Sequence, residues 1–314
     1  MRKLGVAVIG VGAWGTNHVR IFRDLAEAEL VAVCDVNAER AKTVAKQFGG
    51  QFYTDPAEML RNERVEAVSV CTWATKLAET SIKVLQAGKH LLVEKPMAET
   101  VEQAEAILRL AEKEELLLTV GFLTRFIPGI ARIKQAIDSK EIGEVVCATA
   151  KRVSSWPERI GDVGVVRDLT IHDVDVIRYL FGEEPKAVSA VTGNIIHKRL
   201  EDYAQAMLFF TRKSAFLETN WLTPYKTRQL TITGSKAIMR LDYITQELTI
   251  DTATESIQPR LTFQEPLKLE LEHFVNCVLN GKTPLVTGID GVKALKIAGG
   301  ILASSATGKI VKLQ

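Results

Sequence analysis

Lys95, Asp168 and His172 are the side chains whose types and placing could do chemistry, and that chemistry is the removal of a proton from a hydroxyl. Lys95 stands in Glu94-Lys95-Pro96, directly after the apolar run Leu91-Leu92-Val93. A buried parallel strand reads as such a run, and in open α/β sheets ligands gather beyond the carboxyl ends of the strands. The charge of Lys95 can hold a substrate oxygen and favour its alkoxide, and desolvation would bring its own pKa towards the working range. Asp168 and His172 lie four apart in Arg167-Asp168-Leu169-Thr170-Ile171-His172-Asp173-Val174-Asp175. On a helix they share one face, extended by Asp175 and Val176, where the carboxylate can orient the imidazole. With an unperturbed pKa of about 6.5, a histidine suits proton transfer near neutrality. Either Lys95 or His172 could be the immediate base. Taken singly, each residue has a plainer reading as a solvated loop lysine, a helix-start acid or a satisfied histidine, and as metal ligands they have too few partners.

The elements that must position these residues begin at the N-terminus. A strand over Lys3–Ile9 leads into Gly10-Val11-Gly12-Ala13-Trp14-Gly15, a helix over Thr16–Ala26 follows, and the next strand, Leu30–Cys34, ends at Asp35. Strand, G-x-G-x-x-G, helix and an acid twenty positions later together make a dinucleotide fingerprint. Gly10 permits the tight turn, Gly12 lets the backbone approach a pyrophosphate, Gly15 lets helix and strand pack, the helix N-terminus offers its N–H groups to the phosphates, and Ala13 and Trp14, between the glycines, are expected cofactor contacts. Asp35 can accept both hydroxyl protons of an adenosine ribose and would repel a 2′-phosphate, which favours NAD; Arg40 is near enough to leave NADP open. Further cofactor contacts are expected from Thr72 and Trp73 after the strand Ala67–Cys71, and from Glu94 with Lys95. Strands and helices alternate to about Val120, with a capping-box spacing at Thr100-Val101-Glu102-Gln103, so a doubly wound parallel sheet is predicted over 1–122.

From Leu123 onward the pattern changes. A helix (Ile127–Ser139), a strand (Glu144–Val153), an irregular charged loop and a helix from Arg167 to Phe181 precede six strand patterns between Ala187 and Ile250 and two closing helices, Lys268–Asn280 and Gly291–Thr307. Short turns between the strands imply an antiparallel meander, so 123–314 is expected to be an α+β substrate and oligomer domain with a large open sheet. The loop carries Arg152, Trp156, Arg159 and Arg167. Guanidinium groups bind phosphate and an indole can stack on a sugar or base, which makes these four candidate substrate contacts; the plainer reading is a solvated lid.

Composition narrows the rest. The 314 residues hold 40 basic against 38 acidic side chains, a net charge of +2, with no long run of one sign, which argues against nucleic acid as a partner. No apolar stretch nears the length of a membrane helix, and the start lacks a signal-like segment, so a soluble cytoplasmic protein is expected. Four scattered cysteines without C-x-x-C read as buried thiols, with no metal expected.

The fingerprint, Glu94-Lys95-Pro96, Gly121-Phe122-Leu123-Thr124-Arg125-Phe126, Asp168-x-x-x-His172 and the closing Thr283-Pro284-Leu285-Val286-Thr287-Gly288 together resemble the glucose–fructose oxidoreductase/inositol dehydrogenase (Gfo/Idh/MocA) family over essentially the whole chain. The resemblance implies a Rossmann domain, a C-terminal sheet used in a homodimer or homotetramer, NAD(P)-dependent hydride transfer at a sugar or polyol carbon, and a Lys95-Pro96 bond that is often cis. It assigns Lys95, Asp168 and His172 to catalysis. The segment 157–175 is similar to members that oxidise the 3-hydroxyl of UDP-N-acetylglucosamine; a free polyol or monosaccharide dehydrogenase and a non-catalytic NAD(P)-binding regulator are the alternatives. Trp73-Ala74-Thr75-Lys76-Leu77 and Ile127 depart from the family pattern, which bears on the edge of the cofactor site and on one polar substrate contact.

Overall fold

The computed structural model describes residues 2–157 and 162–313, and the chain divides into two compact units, Met1–Phe122 with Pro266–Val292 and Leu123–Glu265 with Lys293–Gln314. The first unit alternates β1 (Leu4–Ile9), α1 (Ala13–Asp24), β2 (Ala28–Cys34), α2 (Ala38–Phe48), β3 (Gln51–Tyr53), α3 (Pro56–Leu60), β4 (Ala67–Val70), α4 (Ala74–Gln86), β5 (His90–Val93), α5 (Val101–Lys113) and β6 (Leu118–Val120). The helices start where side chains can accept their first N–H groups: Asn37 from Arg40, Asp55 from Ala57, and Thr100 with Gln103 as a reciprocal capping box. Strands β1, β4 and β5 are mainly apolar and almost wholly buried, Ser69 and His90 being their polar members, because helices cover both faces of the sheet. Their order is β3-β2-β1-β4-β5-β6, with every pair parallel. The order reverses between β1 and β4, which opens the ligand crevice at the carboxyl ends of these strands.

The second unit opens with a 3-10 turn (Leu123–Phe126) and α6 (Pro128–Asp138), then β7 (Val145–Val153), a π turn (Val166–Thr170) and α7 (Ile171–Phe181). It continues through β8 (Ala187–Gly193), β9 (Tyr203–Phe209), β10 (Ser214–Asn220), β11 (Thr227–Gly234), β12 (Ala237–Asp242), β13 (Leu248–Thr252) and β14 (Ser256–Ile257). After α8 (Pro266–Asn280) and α9 (Gly288–Thr307), β15 (Val311–Lys312) pairs with β8. The sheet order β14-β13-β12-β11-β7-β10-β9-β8-β15 is not the simple meander the short turns suggest. β7 is inserted between two meanders and runs parallel to β10, a pairing that needs a long crossover, supplied here by α7, β8 and β9.

Helix α8 corrects the expected boundary. Leu267, Leu271, Phe274 and Val275 join Leu4, Val6, Val19 and Phe22 in one core, so this helix belongs with the parallel sheet although it follows the antiparallel one in sequence. Its apolar face finds cover there, and the first unit takes in 266–292 as well as 1–122.

Candidate active site

In the first unit, β1 ends in a turn that needs glycine at positions 10 and 15. Gly10 has φ +86°, and a Cβ there would sit 2.8 Å from the Cys71 and Thr72 backbone; one on Gly15 would sit 1.9 Å from the Gly10 carbonyl oxygen. Gly12 faces open space and caps α1 without any side-chain hydrogen bond, so the first N–H groups of α1 can meet a phosphate. Asp35 is buried at the end of β2. It accepts from Val11 N at 3.0 Å and Asn37 N at 2.9 Å, and Arg40 Nη1 lies 3.2 Å from both its oxygens. These residues fit a dinucleotide: an open cradle at Gly12, a free helix start, and a carboxylate with lone pairs to spare for a ribose.

At the end of β5, Glu94 is buried, its Oε1 accepting Trp14 Nε1–H at 2.8 Å and its Oε2 the Lys95 N–H at 3.2 Å. Lys95 is half-buried and its bond to Pro96 is cis. Trp14 and Trp73 are exposed, Trp73 as the residue before α4, and Thr72 is half-buried. Trp14 is thus tied to the lysine strand as well as to the glycine turn.

In the second unit, Asp168 lies in the π turn and His172 in the first turn of α7, both buried. The predicted single helix is therefore divided, with i→i+5 geometry under Asp168, an irregularity frequent at functional sites. Glu201 holds this start: its carbonyl accepts Val165 N–H at 2.9 Å and its Oε1 accepts Val166 N–H at 3.2 Å. Thr170 Oγ1 meets Thr219 Oγ1 at 2.6 Å. The rest of α7 is secured by ion pairs. Asp173 takes Arg152 at 2.9 and 3.1 Å, and Asp175 takes Arg125 at 2.6 and 2.8 Å, all four side chains buried. Asp175 thus serves the ion pair with Arg125 rather than prolonging a proton-transfer face.

The candidate substrate contacts separate. Arg152 is 3 % exposed, bidentate on Asp173 and 5.1 Å from the Tyr243 ring, so its guanidinium is committed to packing α7 on β7; this replaces the phosphate role expected from the sequence. Its pKa is raised, because Asp173 and its neighbours outweigh the burial that opposes the charge. Trp156 is half-buried, stacked on His197 at 5.8 Å and edge-on to Trp221 at 5.3 Å. Arg167 is half-buried at the helix start. Arg159 lies outside the described residues.

The sequence pattern gave no sign of Glu201 and left His18 unremarked, and it placed Arg125 in the Gly121–Phe126 motif without assigning it a role. His18 had a signal, being four after Trp14 on the same helix face; Arg125 and Glu201 meet partners 50 and 35 positions away, which no local pattern reveals.

Residues 4–122 match the family model described as "Oxidoreductase family, NAD-binding Rossmann fold", and 130–240 match the GFO/IDH/MocA C-terminal domain. The scyllo-inositol 2-dehydrogenase (NAD(+)) of Bacillus subtilis (strain 168) is 32% identical over 320 residues, covering 95% of this chain and 92% of that one. The chain belongs to the GFO/IDH/MocA oxidoreductase family. It is an NAD(P)-dependent dehydrogenase, and its first unit is the NAD-binding Rossmann domain. Another family member, the UDP-N-acetylglucosamine 3-dehydrogenase of Acidithiobacillus ferrooxidans, is 27% identical, covering 95% of this chain and 96% of the relative. A solved structure of that enzyme superposes with a TM-score of 0.91 over 98% of this chain and 100% of the other. Among the described residues no helix is long and apolar enough to cross a membrane.

Proposed function

We propose that the protein oxidises a secondary ring hydroxyl of a sugar or polyol, with Lys95 holding the substrate oxygen and His172 taking its proton. The observation that carries this reading is the start of α7, where Asp168 and His172 are both buried and the neighbouring acids Asp173 and Asp175 are neutralised by Arg152 and Arg125. Two ion pairs and the Glu201 contacts hold the helix still, and Asp168 orients the imidazole. Bound NAD supplies the acceptor for the hydride leaving the same carbon. The names of the relatives, inositol and sugar dehydrogenases, support the substrate class.

A second reading narrows the substrate to the 3-hydroxyl of a UDP-N-acetylhexosamine. It is favoured by the Trp156–His197 ring stack beside the exposed cations Lys198 and Arg199, a pairing of aromatic surface and positive charge that suits a nucleotide diphosphate. The outward face of the nine-stranded sheet carries Val191, Met207, Phe209 and Phe216, half-buried or exposed, which supports a homodimer or homotetramer closed through it. Four free cysteines suit a reducing, cytoplasmic setting. The test is NADH formation against scyllo- and myo-inositol, aldoses and UDP-sugars. Lys95→Ala and His172→Ala should each cut kcat about 10²- to 10⁴-fold while NAD affinity changes little. Wild-type turnover in either variant would remove the assignment.

A further inference from the structure

The first unit encloses an ionisable group that the proposed chemistry does not use. His18, on α1, is completely buried, and its ring packs edge-on against Trp14, 6.0 Å between centroids. Its Nδ1 is 2.9 Å from Ser69 Oγ on β4. Its Nε2 lies 3.2 Å from Glu94 Oε1, off the line of a well-aligned hydrogen bond, so the contact is chiefly ionic. That same oxygen accepts the Trp14 indole N–H, while Oε2 accepts the Lys95 N–H. On the far side Gly121 leaves no slack, since a Cβ there would lie 2.7 Å from Oε1.

Glu94 is thereby held in one place, and its place sets two others. One is Trp14, inside the glycine-rich turn; the other is the backbone of Lys95. A buried carboxylate costs several kcal/mol unless it is paired, and indole and amide donors leave it unneutralised. Burial pushes the Glu94 pKa up, but His18, Trp14 and Lys95 overcome this and hold it below the usual carboxylate range. Burial likewise opposes the charged form of His18, yet Cys71 and Glu94 raise its pKa to about 10.

We propose that His18, seated on Ser69, is a positioning residue that acts through Glu94: as an imidazolium it keeps Glu94 charged and in place, and Glu94 in turn fixes the glycine-turn tryptophan and the backbone of the catalytic lysine. NAD affinity then depends on a side chain sealed from solvent.

The ring-nitrogen NMR signals of His18 in 15N-labelled protein, followed from pH 6 to 9, report its charge without any substitution. NAD titration by tryptophan fluorescence of wild type, His18→Gln, Glu94→Gln and the double variant reports the coupling. Both ring nitrogens should stay protonated through pH 8.5 in the wild type, and the ring should lose its proton at a lower pH in Glu94→Gln than in the wild type. His18→Gln should weaken NAD binding about 10-fold, as expected for one charge-assisted contact, and the double variant should bind no worse than Glu94→Gln alone. A neutral His18 at pH 8 in the wild type, unchanged NAD affinity in His18→Gln, or losses that multiply in the double variant would each overturn the proposal. Ser69→Ala, which keeps the ring and removes only its seat, should weaken NAD binding in the same direction, and wild-type affinity there would count against it.

Discussion

Arg152 separates two accounts of the second unit by experiment. As a substrate ligand it could be replaced by alanine with a rise in KM and little loss of stability. The structure gives the opposite expectation. Its side chain is 4 % exposed and that of Asp173 is 1 % exposed, the two joined by bonds of 2.9 and 3.1 Å, with the Tyr243 ring 5.1 Å from the guanidinium carbon. Removing one member strands a buried charge, which costs about 3–5 kcal/mol. At roughly 2–4 °C per kcal/mol for a unit of this size, Arg152→Ala should lower the unfolding temperature by about 6–20 °C. Removing both charges into apolar groups of similar volume leaves nothing stranded, so Arg152→Met with Asp173→Leu should recover most of that loss. Differential scanning calorimetry of the wild type, both singles and the double closes the cycle. An Arg152→Ala protein within about 1 kcal/mol of wild type, or a double variant as unstable as the sum of the singles, would refute the buried-pair account.

Gly15→Ala should abolish measurable NAD binding in a titration, because the new methyl would meet the Gly10 carbonyl oxygen at 1.9 Å and prise α1 from β1; near-native NAD affinity would show that the turn can yield. Glu183 has its pKa lowered to about 2 by Thr211, which donates through both hydroxyl and backbone N–H, with help from Lys213. A depressed carboxyl pKa stabilises fully above its unfolded value and loses that contribution as pH falls, so the stability gap between wild type and Glu183→Gln should shrink between about pH 4.5 and 2 in acid-unfolding curves. His18 works with the opposite sign. Its raised pKa contributes fully below about 6.5 and fades as pH climbs towards 10, so the wild type should lose thermal stability relative to His18→Gln over that alkaline range.

The parallel unit was legible because its signals are local. Each strand buried on both faces is a short apolar run, the glycine turn lies between the first of them and a helix, and the capping box at Thr100 and Gln103 marks a helix start within four residues. Helix α8 was not, since its apolar face announces a partner without saying which sheet supplies it, and chain order named the wrong one. The insertion of β7 between β10 and β11 is equally non-local. Arg152 is different, because its role could have been read. In β7, Ala148 and Ala150 point inward, and with a side-chain period of two Arg152 is in phase with them, towards α7 and Asp173. Lys151, one step out of phase, pairs instead with Glu218 on the outward face, where both side chains remain partly exposed. A cation near a binding loop therefore declares its task by strand phase more than by its type: the in-phase arginine braces the helix that carries His172, and contacts to substrate have to be sought among side chains beyond the end of the strand.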